Sequence, residues 1–517
     1  MIVKIQLWWK EHYQSILVFF GLFLMICPII LSKPLNNLDE IWNYNFAKNI
    51  ADGLIPYRDF NMITTPLLPM ISGLFLNIFG NELIIMRILA IFLCTFILFL
   101  IFKILKKLKI TFIYNLLFVF LLFLLLQDYF CIDYNFGVLL ITLILIYLEL
   151  NYYEKNKYYF SKKYLFHFLI GILSSCCILL KQSTGFFIVL TSIIYPIFFI
   201  KNKMDFKNYL KIFFIRILGI LIPIIFLIIY LFINNAFYAF IDYSIFGIKT
   251  FSNSIPYINL INSKHLNIKL LSIFIPIFIL IVGIYLLKKK EKKLFCFYLY
   301  SIASLIVIFP ISDTIHFLIG ITPFLILFYY LFLQFLLFLF NKIINRCNFK
   351  NSKIIKIKIF IIELLKSFVA LFLVIYLITS VLLLNNYFND NTKNHSFNHY
   401  QYIPINSQLV EKINLIDNYI LSEQNPVYIL DAEAAIYMIS LDKYNKNFDM
   451  FLKGNIGSNG ENGIIEEISH FQSGTKLLIK KDESKMNWQT PMKVIHFIQT
   501  NLNKIGEISI FDIYEIP

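Results

Sequence analysis

Long Ile-, Leu- and Phe-rich runs recur along the chain, each about 17 to 25 residues in length. At 1.5 Å per residue, such a run carries an α-helix across a ~30 Å hydrocarbon core. The chain therefore reads as a polytopic membrane protein. Composition agrees: 59% of the 517 residues are hydrophobic, 15% are charged, and the mean hydropathy is +0.73. These values exclude a cytosolic multidomain enzyme. Hydropathy and helix breakers place eleven spans, near residues 14–32, 83–102, 111–127, 134–150, 165–181, 184–200, 212–233, 270–287, 294–310, 315–338 and 359–384. The opening MIVKIQLWWKEHYQ sets positive charge ahead of the first run without a small-residue cleavage site, as in a retained signal anchor.

The net charge of +15 does not point to nucleic acid, because the Lys and Arg residues sit in short clusters between the apolar runs rather than on one basic face. With the amino terminus cytoplasmic, Lys103, Lys106, Lys107 and Lys109 fall on the inner side. So do Lys155, Lys157, Lys162 and Lys163, then Lys201, Lys203, Lys207 and Lys211, and the clusters at 288–293 and 342–358. Every inner loop then obeys the positive-inside rule. The outer face receives residues 33–82, short turns near 128–133, 182 and 311–314, a loop at 234–269, and everything after 384. Seven cysteines fall in the first two thirds, mostly inside apolar runs, with no metal-ligand spacing. They imply neither a disulfide framework nor a zinc site.

Composition changes at residue 384. Up to that point there are 35 basic and 15 acidic residues, and beyond it 11 basic and 16 acidic. The expected organisation is a membrane domain over 1–384, an Asn- and His-rich linker at 385–402, and a small water-soluble α/β domain over 403–517 on the outer side. Within the latter, 426–430, 476–479 and 508–514 read as strands and 432–440 as a helix. The glycine-rich 454–460 stretch matches neither a Walker loop nor a dinucleotide fingerprint, and turn chemistry accounts for it.

Chemistry concentrates in the first outer segment, where Asp39 and Glu40 stand side by side just after a span. Acidic residues favour a helix start, so a solvated helix beginning explains the pair by itself. The surrounding pattern adds Tyr44 and Ala47, Gly53, the Pro56-Tyr57-Arg58-Asp59 run, Thr65-Pro66, and Phe79-Gly80 followed by Arg87. Together these resemble the first outer loop of the GT-C superfamily of polytopic glycosyltransferases. The similarity is to the branch holding protein O-mannosyltransferases, the aminoarabinose transferase of lipid A and RgtA/B/C/D-like enzymes.

That resemblance implies an all-α polytopic membrane domain with amphipathic helices in the first outer loop, here near 39–52 and 66–79. The stripe Leu67, Met70, Ile71, Leu74, Phe75 and Ile78 has helical spacing, and either lies on the bilayer surface or packs on other helices. It further implies transfer of a monosaccharide from a polyprenyl phosphate to an acceptor hydroxyl with inversion. An acidic residue of the first outer loop serves as base in the family, and Asp39 and Glu40 match it. A hydroxyl is a poor nucleophile until a carboxylate takes its proton. Asp39 is accordingly the expected base, with Glu40 positioning the acceptor.

The leaving lipid phosphate needs a cation or hydrogen-bond donors at the outer surface. Lys181 and Gln182, in Leu-Leu-Lys-Gln-Ser-Thr-Gly, stand alone at the outer end of a span. The pair faces a cavity or is a snorkelling helix end. His316, in Ser-Asp-Thr-Ile-His-Phe, is a second candidate or a helix cap with Asp313 or Thr314. Tyr57, Arg58 and Asp59 complete the expected substrate contacts. Arg87 is either a site cation or a structural partner of Glu82 or Asp59. Asp52 fits a helix-end turn, and the 253–265 loop a lid. No cofactor is expected; a divalent cation stays open, because Asp128, Asp133, Asp242 and Asp313 cannot be placed around Asp39 from sequence. The expected partners are a polyprenyl-phosphate-linked sugar, a cell-envelope acceptor and the bilayer, in a cytoplasmic membrane. Three alternatives stand beside this. A transporter or flippase requires midspan charges and related halves that the chain does not display. A polysaccharide polymerase or ligase shares the substrate type but not the first-loop pattern. A non-catalytic anchor for the outer domain leaves the one-sided polar residues without a role.

Overall fold

The computed structural model describes residues 2–155, 163–200, 203–250, 255–346, 352–445, 448–481 and 490–517. Parts of the cationic clusters at 155–163, 201–211 and 342–358, and the start of the 253–265 loop, lie outside the described residues. The chain opens with α1 (Ile2–Leu31), followed by two shorter helices, α2 (Leu38–Ala51) and α3 (Leu67–Phe79). A bundle then follows: α4 (Leu83–Lys107), α5 (Phe112–Leu126), α6 (Tyr134–Lys155), α7 (Lys163–Leu180), α8 (Gln182–Ile194) and α9 (Lys203–Ile233). Four more helices, Leu266–Lys289, Lys292–Ser304, Thr314–Arg346 and Ser352–Asn389, complete it.

Eight helices among the described residues are long and apolar enough to cross a membrane. The three other expected spans are shorter: α7 is 18 residues, α8 is 13 before a 3-10 turn at Tyr195–Phe199, and Lys292–Ser304 is 13 before another at Leu305–Ile308. The bundle's outward faces carry Leu, Ile and Phe side chains that are half or more exposed, as a surface in contact with acyl chains requires. This is a multi-pass membrane protein.

The two helices of the first outer segment differ in kind. In α3, the residues Ile71, Leu74, Phe75 and Ile78 of the expected stripe are exposed, while Leu68, Ser72, Gly73 and Leu76 face inward. The stripe thus points away from the other helices, as for a helix lying in the bilayer interface. In contrast, α2 is buried over nearly its whole length, including Asn43, Asn45, Lys48 and Asn49. It is sandwiched between the bundle and the carboxy-terminal part of the chain.

That part holds a four-stranded sheet of β1 (Val427–Ile429), β2 (Lys476–Lys480), β3 (Asn503–Ile508) and β4 (Phe511–Glu515), in the order β1-β2-β4-β3. Strands β1 and β2 are parallel, and the other two pairs antiparallel. The 508–514 stretch, expected as one strand, turns at its start: Ser509 takes a left-handed φ of 49° and β3 reverses into β4. The last bundle helix continues to Asn389, and beyond it Phe397 and Tyr400 are buried. Tyr400 donates to the Ile436 carbonyl at 2.9 Å, and the Leu83 amide to the His399 carbonyl at 3.0 Å.

The glycine-rich loop has a tertiary reason. Gly457 adopts φ +72°, and a Cβ there would stand 2.6 Å from the Asp242 carboxylate, which accepts the Ser458 amide at 3.0 Å. Thr250 also donates to the Lys453 carbonyl at 2.7 Å. The loop clips the sheet domain to the outer loop after α9. Gly457→Ala should cost roughly 1–2 kcal/mol from the left-handed backbone alone. Limited proteolysis should then cut around 454–460 faster, and an unchanged rate would count against the clip.

Candidate active site

Asn37 caps α2: its Oδ1 accepts the amides of Asp39 and Glu40 at 3.0 and 3.3 Å. Both acidic residues thus lie in the first helical turn. Consecutive helical residues point about 100° apart, so the two carboxylates diverge. Glu40 turns into the bundle, fully buried, and accepts Arg87 Nε at 3.0 Å and Nη2 at 2.9 Å. Arg87 Nη1 also donates to the Leu31 and Lys33 carbonyls, at 3.1 and 2.6 Å. Arg87 is therefore paired with Glu40, not with Glu82 or Asp59. The fork joins α1, α2 and α4, and Glu40 is wholly engaged in it.

Asp39 turns the other way. It is half-buried, and among the described residues no hydrogen bond or ion pair engages its carboxylate. Its charged neighbours are Asp133, Asp313 and Lys181. Each belongs to the start of a helix. Asp133 precedes α6 and accepts the Asn135 amide at 2.7 Å. Asp313 precedes Thr314–Arg346 and accepts the His316 amide at 2.9 Å and ring Nδ1 at 2.7 Å. Lys181 is the single extended residue between α7 and α8. That corner is tight because Gly185 lets α8 fold against the end of α7: a Cβ there would meet the Cys177 and Ile178 backbone at 2.2–2.4 Å. Lys181 Nζ donates to Asn135 Oδ1 at 2.8 Å and lies 5.4 Å from the centre of the Tyr134 ring.

Four helix starts, those of α2, α6, α8 and Thr314–Arg346, thus gather on one side of the bundle. The partial positive charges of these helix starts favour an anion. Burial, then Asp133 and Asp313, push the Asp39 carboxyl up to about 7 against the pull of Lys181. Burial also lowers Lys181 to about 8, opposed by Asp133, Asp313 and Asp39. Asp133 is raised by burial, and the Asn135 amide, His316 and Lys181 counter this. The result is a carboxylate poised to gain or lose a proton near neutrality beside a cation.

The side chains of the other expected site residues are engaged with other partners. Tyr57 donates to the Thr64 carbonyl at 2.5 Å, and its hydroxyl accepts Ser244 Oγ at 3.2 Å. Gln182 Nε2 donates to the Ile63 and Ser244 carbonyls, both at 2.9 Å. These two residues brace the first outer segment against the loop after α9. Arg58 and Asp59 pair with each other at 2.8 Å at the surface, and Asp59 accepts the Ile55 amide at 2.7 Å. Their charge neighbours do not include Asp39. Asp133 and Asp313 do stand at the site. An Asp directly before a helix, followed by Asn or His within three positions, was the visible signal. It reads as a cap, and a cap residue becomes a site residue only when several helix starts converge. Among the described residues, no three His, Cys, Asp or Glu side chains form a group able to hold a metal ion.

No family model and no curated protein matches this sequence. Solved structures do match its fold. ArnT from Cupriavidus metallidurans in the apo state aligns over 97% of both chains with a TM-score of 0.57 and 10% identity. The same protein bound to undecaprenyl phosphate gives 0.54, with equal coverage and 10% identity. Archaeal oligosaccharyltransferase AglB from Archaeoglobus fulgidus, with an inhibitory peptide and a dolichol-phosphate, covers 92% of this chain and 70% of its own at 0.53 and 11% identity.

Proposed function

We propose, for a chain that carries the fold of ArnT and AglB, that it is an integral membrane inverting glycosyltransferase using a polyprenyl-phosphate-linked sugar. The observation that carries this reading is the unengaged Asp39 carboxylate beside Lys181 where four helix starts gather. The undecaprenyl phosphate and dolichol-phosphate held by those neighbours support the same donor class.

In the proposed reaction, the acceptor oxygen bonds to the anomeric carbon from the face opposite the phosphate. The carbon–oxygen bond to the lipid phosphate breaks, and the hydroxyl proton passes to Asp39. One base suffices for a single displacement. Lys181, His316 and the positive ends of the gathered helices receive the charge that develops on the phosphate. Glu40 and Arg87 are positioning residues: their fork fixes the helix that presents Asp39. Tyr57 and Gln182 hold the outer loops around the site, and Arg58 and Asp59 shape the segment between them. The site lies on the extracytoplasmic side if the amino terminus is cytoplasmic, as the lysine clusters require.

Release of polyprenyl phosphate from a panel of polyprenyl-phosphate hexoses and pentoses, with and without cell-envelope extracts, tests the reading. Acceptor-dependent release in protein reconstituted in nanodiscs is the expected result. No release from any donor would overturn it.

The pH profile is a second expected outcome. A base works only when deprotonated, so turnover should climb as pH rises through about 7, the value burial and the neighbouring carboxylates give Asp39. A cation holds phosphate only when protonated, so turnover should fall again above about 8, where Lys181 loses its proton. A narrow bell between these limbs is expected. A rate flat across both values would contradict the roles given to both residues.

A further inference from the structure

Lys33 carries the same signal in the sequence as Lys181, a single cation just past the end of an apolar run and apart from the lysine clusters. Its side chain is committed to backbone. Nζ donates to the Asp128 carbonyl at 2.8 Å and to the Phe130 carbonyl at 2.9 Å. Both carbonyls belong to the turn that joins α5 to α6, in which Phe130, Cys131, Ile132 and Asp133 are buried. An ammonium has three donors, and two of them hold this turn rather than a phosphate.

The backbone of Lys33 is held in its turn. Its carbonyl accepts Arg87 Nη1 at 2.6 Å, and the same guanidinium forks onto Glu40. A chain of polar links therefore runs from Glu40 to Arg87, from Arg87 to the Lys33 carbonyl, and from Lys33 Nζ to the α5–α6 turn. One end of it is the residue next to Asp39, and the other lies three positions before Asp133. Asp133 faces Asp39, Lys181 and His316, with Cys131 and Tyr134 on its own stretch of chain. Lys33 faces Cys131, Glu40, Cys94 and Arg87, and among the described residues it is not a charged neighbour of Asp39 or Lys181. Its influence on the chemistry must pass through where it puts Asp133.

We propose that Lys33 is a positioning residue for the glycosyl transfer, pinning the α5–α6 turn so that Asp133 stands against Asp39 and Lys181. The inference rests on the glycosyltransferase reading and adds to it a residue that never meets substrate. Asp133 raises both Asp39 and Lys181, so moving it away lets each lose its proton at lower pH. The whole bell of rate against pH should then slide towards acid. A protein that is only destabilised would lose height and keep its limbs.

The test is the pH profile of polyprenyl phosphate release by full-length protein in nanodiscs, with the polyprenyl-phosphate hexose or pentose and the envelope extract that wild type turns over. Wild type is compared with Lys33→Met, Asp133→Asn and the double variant, each checked for folding by thermal unfolding. Lys33→Gln, neutral and too short to span both carbonyls, serves if Lys33→Met does not fold. Both single variants should slide the bell towards acid, and the double variant no further than Asp133→Asn, since Lys33 acts through Asp133. Turnover of the Lys33 variant at its optimum should fall about tenfold to a hundredfold, as for a group displaced by roughly 1 Å. Hydrogen exchange over 128–135 reads the turn without catalysis, and should be faster in the Lys33 variant. A bell that moves in Asp133→Asn but not in the Lys33 variant, or exchange unchanged from wild type, would overturn the role of Lys33 and leave the glycosyltransferase reading standing. A bell unmoved in Asp133→Asn would overturn it as well. No turnover of any donor by wild type would remove the glycosyltransferase reading, and this inference with it.

Discussion

Asp39→Asn is expected to lower acceptor-dependent turnover by about 10²–10⁴-fold, the usual contribution of a positioned general base. The change preserves shape and removes only the ability to take a proton. Asp39 accepts no hydrogen bond at its carboxylate among the described residues, so nothing structural should be lost with the charge. The variant should reach the membrane at wild-type level and unfold at the same temperature or slightly higher, since a buried carboxyl raised to about 7 is held at a cost. The rising limb of the pH profile should vanish with it. Retained turnover would reject Asp39 as base, whatever the donor panel shows.

Arg87→Leu should instead act first on stability. Glu40 and Arg87 are both fully buried and bidentate, and deleting one partner strands the other. Breaking such a pair costs about 3–5 kcal/mol, a large share of a typical ~5–15 kcal/mol total. Thermal unfolding in detergent and the yield of inserted protein are the measurements. Replacing both residues by Leu should recover much of the loss, because an apolar pair of similar size leaves no uncompensated charge. Recovery should stay incomplete, since Arg87 also holds the Leu31 and Lys33 carbonyls. An Arg87→Leu protein as stable as wild type would mean that the fork does not fix α2.

These two results would divide a dipeptide that sequence presents as a unit. Asp39 and Glu40 are neighbours of the same charge, and a family pattern places them together in a role. One peptide bond apart on a helix, they face different surroundings, and a single arginine 47 positions away decides which is structural. Nothing local to the dipeptide carries that information. Lys181 was legible because a lone cation at the outer end of an apolar run is unusual whatever it touches. Tyr57 and Gln182 were equally visible as polar residues near the outer face, but their partners are backbone carbonyls of distant loops.

The sequence by itself determined the membrane character, the helical first segment after the opening span, and the change to a small α/β unit. Those follow from hydropathy, charge clusters and periodicity, which are properties of contiguous residues. The tertiary structure alone decided that the α/β unit docks along α2 and that a glycine-rich turn clips it to the loop after α9. It also decided that caps of helices far apart in sequence, at Asp133 and Asp313, share one site with Asp39 and Lys181. A cap satisfies its own helix wherever that helix goes, so its pattern says nothing of its neighbours. Only the packing of the bundle brings four helix starts together, and with them the charges that set the acidity of Asp39.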